Sequence, residues 1–209
     1  MILYVNGDSH SHGNNVKNRS KTFASLLSQA LDFELVNSSK PGASNDRILR
    51  TTRSYLETNQ PDLIIIGWST WEREEWEYQE QFYDVNSSGH DQLPDLLITK
   101  YKQWVTEQTP ETLIKKSQHT HEKIYKLHCE LTEKQIPHVF FNCMYNFFEI
   151  TNQLDWNHNY VGPYENDLSY YWYLKKRNFA TDDWYHFAED GHKAWANFLI
   201  KYIEENKIL

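Results

Sequence analysis

A three-layer α/β/α sandwich around a mainly parallel, flavodoxin-like sheet of about five strands is the fold this chain predicts. Apolar strand-like runs alternate with segments of helical spacing from the first residues to the last. The connections between the runs are long enough for parallel crossovers. The clearest run, Asp62-Leu63-Ile64-Ile65-Ile66-Gly67, is continuously apolar, as expected of a strand covered on both faces.

Residues 2–6 read as the first buried strand, ending in a small polar turn. From Thr22 to Leu31, Phe23, Leu26, Leu27, Ala30 and Leu31 recur at helical spacing and predict one buried face. Phe33–Val36 is a second strand. It is followed by a loop over Asn37–Ser44 containing Pro41-Gly42, and then by a helix from Asp46 to about Leu56 capped by Ser44 or Asn45. Residues 62–67 form the third strand.

Residues 68–108 interrupt this rhythm and read as an aromatic-rich insertion. Its acidic stretch from Glu72 to Glu80 reads as a solvated helix face, and a helix is expected over Asp95–Glu107. The tryptophans around the acidic stretch are either its buried face or a lid. A long helix over Glu111–Gln135 and a fourth strand at Pro137–Phe141 follow. Asn146–Tyr170 reads mostly as loop, and a last helix runs from Glu189 to Glu204. No linker or repeat appears, so residues 1–209 are expected to form one domain.

The formal net charge is −8, with 29 acidic against 21 basic residues and no basic cluster, which argues against nucleic acid or an anionic membrane surface as partner. Cys129 and Cys143, the two cysteines, have no metal-type spacing and suggest a reducing compartment. No secretory signal is readable and no apolar run would span a bilayer, so a cytoplasmic location is expected. The 8 Trp, 14 Tyr and 10 Phe exceed what a core requires and leave rings for a cleft, an interface or sugar stacking. A homo-oligomer is compatible with the sequence.

In an open parallel sheet, sites gather outside the carboxyl ends of the strands. Gly7-Asp8-Ser9 follows the first strand, Pro41-Gly42-Ala43-Ser44-Asn45 the second, and Gly67-Trp68-Ser69-Thr70 the third. Asp183-Trp184-Tyr185-His186 lies just before the last helix. A serine hydroxyl is a poor nucleophile until a positioned imidazole takes its proton, so a serine and a histidine converging from opposite ends of the chain point to nucleophilic catalysis.

With these blocks in this order, the chain resembles the SGNH (GDSL) hydrolase superfamily over roughly residues 1–70 and 137–200. Gly7-Asp8-Ser9 matches its first block, Gly42 its second, Gly67-Trp68-Ser69 its third and Asp183-Trp184-Tyr185-His186 its fifth. The segments Ser44–Ile48 and Gly67–Arg73 are also similar to uncharacterised SGNH-like proteins of tailed phages, which would place the protein in a virion or host cytoplasm.

The resemblance implies ester hydrolysis through an acyl-enzyme on Ser9, with His186 as base and Asp183 orienting the imidazole. The oxyanion would be held by the backbone N–H groups of Ser9 and Gly42 and by a side-chain donor. The family's third block carries Asn at that donor position, where this chain has Ser69, and Asn45 on the neighbouring loop is the substitute. Asp8, Gly67 and Trp68 complete the candidate set. Trp68, Trp71 and Tyr185 would shape a pocket for an O-acylated carbohydrate or another small ester. No cofactor and no metal are implied. The alternative is a catalytically weakened or inactive SGNH-like binding or structural protein.

Each motif also has a plainer reading. Gly-Asp-Ser is a common turn sequence. Asp182 is equivalent to Asp183 at the level of sequence. His192 packs at the start of the last helix. His119 and His121, at i and i+2, do not share a helix face. His10 and His12 either line the cleft or are ordinary exposed loop histidines.

Overall fold

The computed structural model describes residues 1–90 and 92–209. The elements in chain order are β1 (Ile2–Gly7), α1 (Ser9–His12), α2 (Phe23–Leu31), β2 (Glu34–Asn37) and α3 (Asn45–Thr58). They continue with β3 (Leu63–Trp68), β4 (Glu74–Tyr78), β5 (Gln81–Asn86), β6 (Gly89–His90), α4 (Asp95–Thr106) and α5 (Pro110–Glu133). The chain closes with β7 (His138–Asn142), β8 (Tyr160–Val161), α6 (Tyr170–Lys175) and α7 (Glu189–Glu205).

The main sheet has the order β2-β1-β3-β7-β8, with every neighbouring pair parallel. Alternation along its strands builds the three layers. Leu3, Val5, Leu63, Ile65, Val139 and Phe141 face one side, where they pack with Phe23 and Leu27 of α2 and Trp195 and Leu199 of α7. Tyr4, Ile64, Ile66 and Phe140 face the other, against Ile48 of α3 and Ile124, Leu127 and Leu131 of α5. This is the expected α/β/α sandwich. Its chain reverses direction across the sheet between β1 and β3, the topological switch point where a crevice opens.

Local signals account for the helix starts. Thr22, Ser44 and Thr109 accept from the N–H groups of Ser25, Arg47 and Thr112 and cap α2, α3 and α5. Pro110 occupies the first turn of α5, where a missing N–H costs nothing.

The acidic stretch corrects the helix reading. Residues 74–78 pair antiparallel with 81–86, and Gln79 and Glu80 both have positive φ (49° and 62°) in a two-residue hairpin turn. The pattern Glu-Glu-Trp-Glu-Tyr has the two-residue period of a strand, with Trp76 buried and Glu77 exposed. Glu75 lies opposite Asp84, an unfavourable pair. Arg50 relieves it by gripping Glu75 through two hydrogen bonds of 2.7 and 2.6 Å, and Lys40 lies 2.9 Å from Asp84. Trp76, Val85, Leu93 and Trp104 form a small cluster of their own between this hairpin and α4.

The 146–170 segment reads as loop, but it supplies the fifth strand, β8, whose two residues carry too little pattern to stand out. The short helix α1 also lies where the sequence reads as turn, and α6 starts where the 146–170 loop ends. No helix among the described residues is long and apolar enough to cross a membrane.

Candidate active site

The loop after β1 is built around close packing. Gly7 and Gly67 sit opposite each other on β1 and β3. A Cβ on Gly67 would lie 2.3 Å from Ser11 Oγ and 2.9 Å from Cys143 Sγ, so only glycine lets α1 descend onto the strand ends. Asp8 caps α1, its Oδ1 accepting from the His10 N–H at 3.0 Å. Ser9 is therefore the first residue of the helix, where its own N–H has no intrahelical partner. Ser9 is 8% exposed and lines the main cleft, and its hydroxyl makes no hydrogen bond to the described residues.

Asp8 is buried. Burial opposes its ionisation, but nearby His10 and Arg73, the His10 N–H and the Cys143 thiol outweigh it and hold the carboxyl below its ordinary range. Burial in turn pushes the Cys143 thiol well up, which keeps it protonated.

His186 reaches the same cleft from the loop before α7. Its Nδ1 is 3.3 Å from Asp182 Oδ2, while Asp182 Oδ1 accepts from the N–H groups of Trp184 (2.9 Å) and His186 (2.8 Å). Tyr185 takes a left-handed conformation (φ 68°) that closes this turn. Burial works against an ionised Asp182, but the backbone donors of His186 and Trp184 and the imidazole itself keep its pKa below the usual carboxylate value. Asp183 is exposed and stands outside the pair, so the structure sets Asp182 in the place where sequence spacing puts Asp183. Asn15 joins the two loops directly, its Nδ2 donating to His186 O at 3.2 Å.

The candidate oxyanion donors fare differently. Gly42 lines the cleft, in a turn closed by the Ala43 N–H to Lys40 O at 3.1 Å. Asn45 and Ser69 are brought together, but by each other. The Asn45 amide donates to Ser69 O at 3.0 Å and accepts from Ser69 N at 2.8 Å. The Ser69 hydroxyl donates to Asp8 Oδ2 at 3.2 Å. Both side chains are buried, and neither borders the cleft. Their role is to clamp the start of α3 to the end of β3, which corrects the donor reading.

Trp68 and Trp71 are corrected too. Trp68 is fully buried, edge-on to Phe140, and Trp71 stacks on Phe147. The aromatic rings that do face the cleft are Tyr185 and two others, Tyr145 and Trp184, the last 77% exposed. Across from them, Asn86, Ser88 and Gly89 at the β5–β6 turn form a wall, so the 68–108 segment borders the site. The cleft encloses about 1020 Å³.

Sequence reasoning left two further cleft residues without a role. His10 is buried, with its ring 5.3 Å from that of His186 and its Nδ1 unpartnered, not an exposed loop residue. Burial drives its pKa down to about 4, so it adds no charge beside His186 at neutral pH. Arg73 borders the cleft and reaches Asp8. A cation immediately ahead of a hairpin strand carries no pattern that would single it out. His121 and His192 are structural: His121 bonds Tyr164, and His192 accepts from the Phe23 N–H.

No family model and no curated protein matches the sequence. Solved structures do match in fold. The psychrotrophic esterase EstA from Pseudoalteromonas sp., in a structure inhibited by monoethylphosphonate, superposes with a TM-score of 0.53 at 11% identity, covering 98% of this chain and 97% of that one. TesA superposes with a TM-score of 0.50 at 14% identity, covering 99% of both chains. A two-domain esterase (CEX) active on acetylated mannans gives 0.52 at 13% identity, with 99% of this chain covering 49% of that one. EstA and CEX are esterases, and at identities of 11–14% the likeness to these three structures shows a shared fold over nearly the whole of this chain.

Proposed function

We propose that the protein is a serine-dependent ester hydrolase that works through an acyl-enzyme on Ser9. The observation that carries this reading is the convergence of Ser9 with an Asp182-oriented His186 in one cleft at the switch point of this fold. Asp182, rather than Asp183, fixes the imidazole through Nδ1. That leaves Nε2, which has no partner among the described residues, to take the Ser9 proton as the hydroxyl attacks an ester carbonyl. The carbonyl electron pair moves onto oxygen, and the N–H groups of Ser9 and Gly42 receive it. His186 then protonates the departing alcohol, and water repeats the sequence to release the acid.

An O-acylated carbohydrate is the substrate class we favour. The cleft is wide and mixed in polarity, and Trp184 and Tyr185 offer ring faces at its rim. The neighbour active on acetylated mannans supports this choice at the level of fold. In this reading residues 1–209 act as one unit, with the 68–108 segment walling the cleft.

A second reading is a binding protein that retains the fold. The commitment of both expected side-chain donors, Asn45 and Ser69, to structural bonds favours it.

Labelling with a fluorophosphonate probe tests the two. The hydrolase reading expects wild type to label and both Ser9→Ala and His186→Ala to lose labelling. A folded wild type that neither labels nor hydrolyses any acetyl ester would leave the binding reading.

A further inference from the structure

We propose that Arg73 is the side-chain oxyanion donor of this site, a role no block of the sequence assigns to it; the inference rests on the serine-hydrolase reading above. Ser69 gives its hydroxyl to Asp8 and Asn45 gives its amide to the Ser69 backbone, so neither residue is placed to serve a developing alkoxide in the cleft.

Arg73 is placed to do so. Its Nη1 lies 3.4 Å from Asp8 Oδ2 and 3.5 Å from Ala43 O. Asp8 immediately precedes Ser9 and Ala43 immediately follows Gly42. The guanidinium therefore bridges the two loops whose N–H groups would form the rest of the hole, and it borders the same cleft as Ser9 and His186.

The guanidinium is also under-used by the protein. Both its hydrogen bonds are long and come from Nη1. Nε is buried without a hydrogen-bond partner, 3.9 Å from Glu72 Oε1, and Nη2 makes no bond to the described residues. A planar group with five donors, held at one corner by a buried carboxylate, keeps donors for an anion that forms during the reaction. The neighbouring carboxylates also keep the site from being strongly cationic at rest. The chemical step is unchanged in its balance: the pair leaving the carbonyl π bond resides on oxygen in the tetrahedral intermediate and returns when the C–O bond to the alcohol breaks. Arg73 contributes hydrogen bonds and charge to that oxygen and transfers no proton.

The competing role is structural, as a counter-charge for Asp8, and the test separates the two. Fluorophosphonate labelling and acetyl-ester kinetics would be measured for wild type, Arg73→Gln, Arg73→Lys, Asp8→Asn and the double variant Asp8→Asn/Arg73→Gln, with thermal unfolding of each. The proposal expects Arg73→Gln to lose about 10²–10³ in kcat with little change in KM, and Arg73→Lys to lose less. It also expects added guanidinium to restore part of the lost rate, and the loss to persist in the Asp8→Asn background. Wild-type-like kcat in folded Arg73→Gln overturns the proposal and leaves the serine mechanism standing. So does a loss that Asp8→Asn cancels. Should Arg73→Gln fail to fold, the double variant Asp8→Asn/Arg73→Gln, which leaves no buried carboxylate without its counter-charge, decides: a kcat equal to that of Asp8→Asn overturns the donor role, and a kcat about 10²–10³ lower with similar KM supports it. A folded wild type with no Ser9 labelling and no esterase activity overturns both readings together.

Discussion

Asp182 and His186 are joined twice, by a carboxylate oxygen 3.3 Å from the imidazole Nδ1 and by the other oxygen accepting the His186 backbone N–H at 2.8 Å. One side chain thus fixes both the ring and the turn that presents it, and it does so from position i−4, not from i−3 where Asp183 stands. Asp182→Asn is expected to reduce kcat by about 10²–10⁴, because the amide can hold the wrong tautomer while the turn survives. Asp183→Asn is expected to stay near wild type. Steady-state hydrolysis with circular dichroism of both variants checks this, and equal losses would sink the assignment.

Ser69→Ala is expected to keep kcat within about tenfold of wild type, far less than the 10²–10³ typical of a lost oxyanion donor. Its hydroxyl serves Asp8 at 3.2 Å. Asn45→Ala, by contrast, breaks two buried bonds at once and leaves the Ser69 backbone unpaired, so a clear fall in stability of about 1–3 kcal/mol is expected. Chemical denaturation and kinetics of the two variants distinguish these outcomes.

Gly67→Ala is expected to destabilise by about 1–3 kcal/mol. Its Cβ would meet Ser11 Oγ, Phe141 Cζ and Cys143 Sγ at 2.3, 2.8 and 2.9 Å, and all three are anchored in the packed centre of the site. A Tm equal to wild type would show that α1 can lift without cost.

Stability is expected to fall as pH drops from about 6.5 towards 4. Burial holds His10 and His138 at about 4 and His192 at about 3, below the ordinary 6.5. Each is neutral when folded, while the unfolded chain takes up protons through that window, so stability rises with pH there. Below about 4 the depressed carboxyls of Asp8 and Asp182 act in the same direction, because they too must be protonated as the pH falls. Urea titrations between pH 4 and 7.5 should show this slope, and His138→Gln, if it folds, should flatten part of it.

Trp184→Ala is expected to raise KM several-fold for an acetylated oligosaccharide and to leave a small aryl acetate unaffected. The ring is 77% exposed at the cleft rim and holds up no core. Equal effects on both substrates would argue against a sugar platform.

The layered fold was legible because apolar runs of strand length and helices of 3.6-residue period survive in any one-dimensional reading. Leu63–Ile66 and the α7 face of Trp195, Ala196 and Leu199 are read from local chemistry alone. Ser9 and His186 were legible for a related reason: both sit where a strand or loop meets a helix, and short motifs mark such junctions. The hairpin at 74–86 was obscured by its charge. Its strand period is plain only once Arg50 and Lys40, from other elements, are seen to neutralise Glu75 and Asp84.

What the sequence determined by itself was therefore the layered frame of the main strands and long helices and the two segments that carry Ser9 and His186, since both depend on neighbours along the chain. Tertiary structure alone decided which carboxylate pairs with His186, that Asn45 and Ser69 are spent on each other and on Asp8, and that Arg73 reaches Asp8 and Ala43 at the border of the cleft. Those choices depend on hydrogen bonds between residues dozens of positions apart, where distances of a few tenths of an ångström separate a partner from a neighbour and where no periodicity records the outcome.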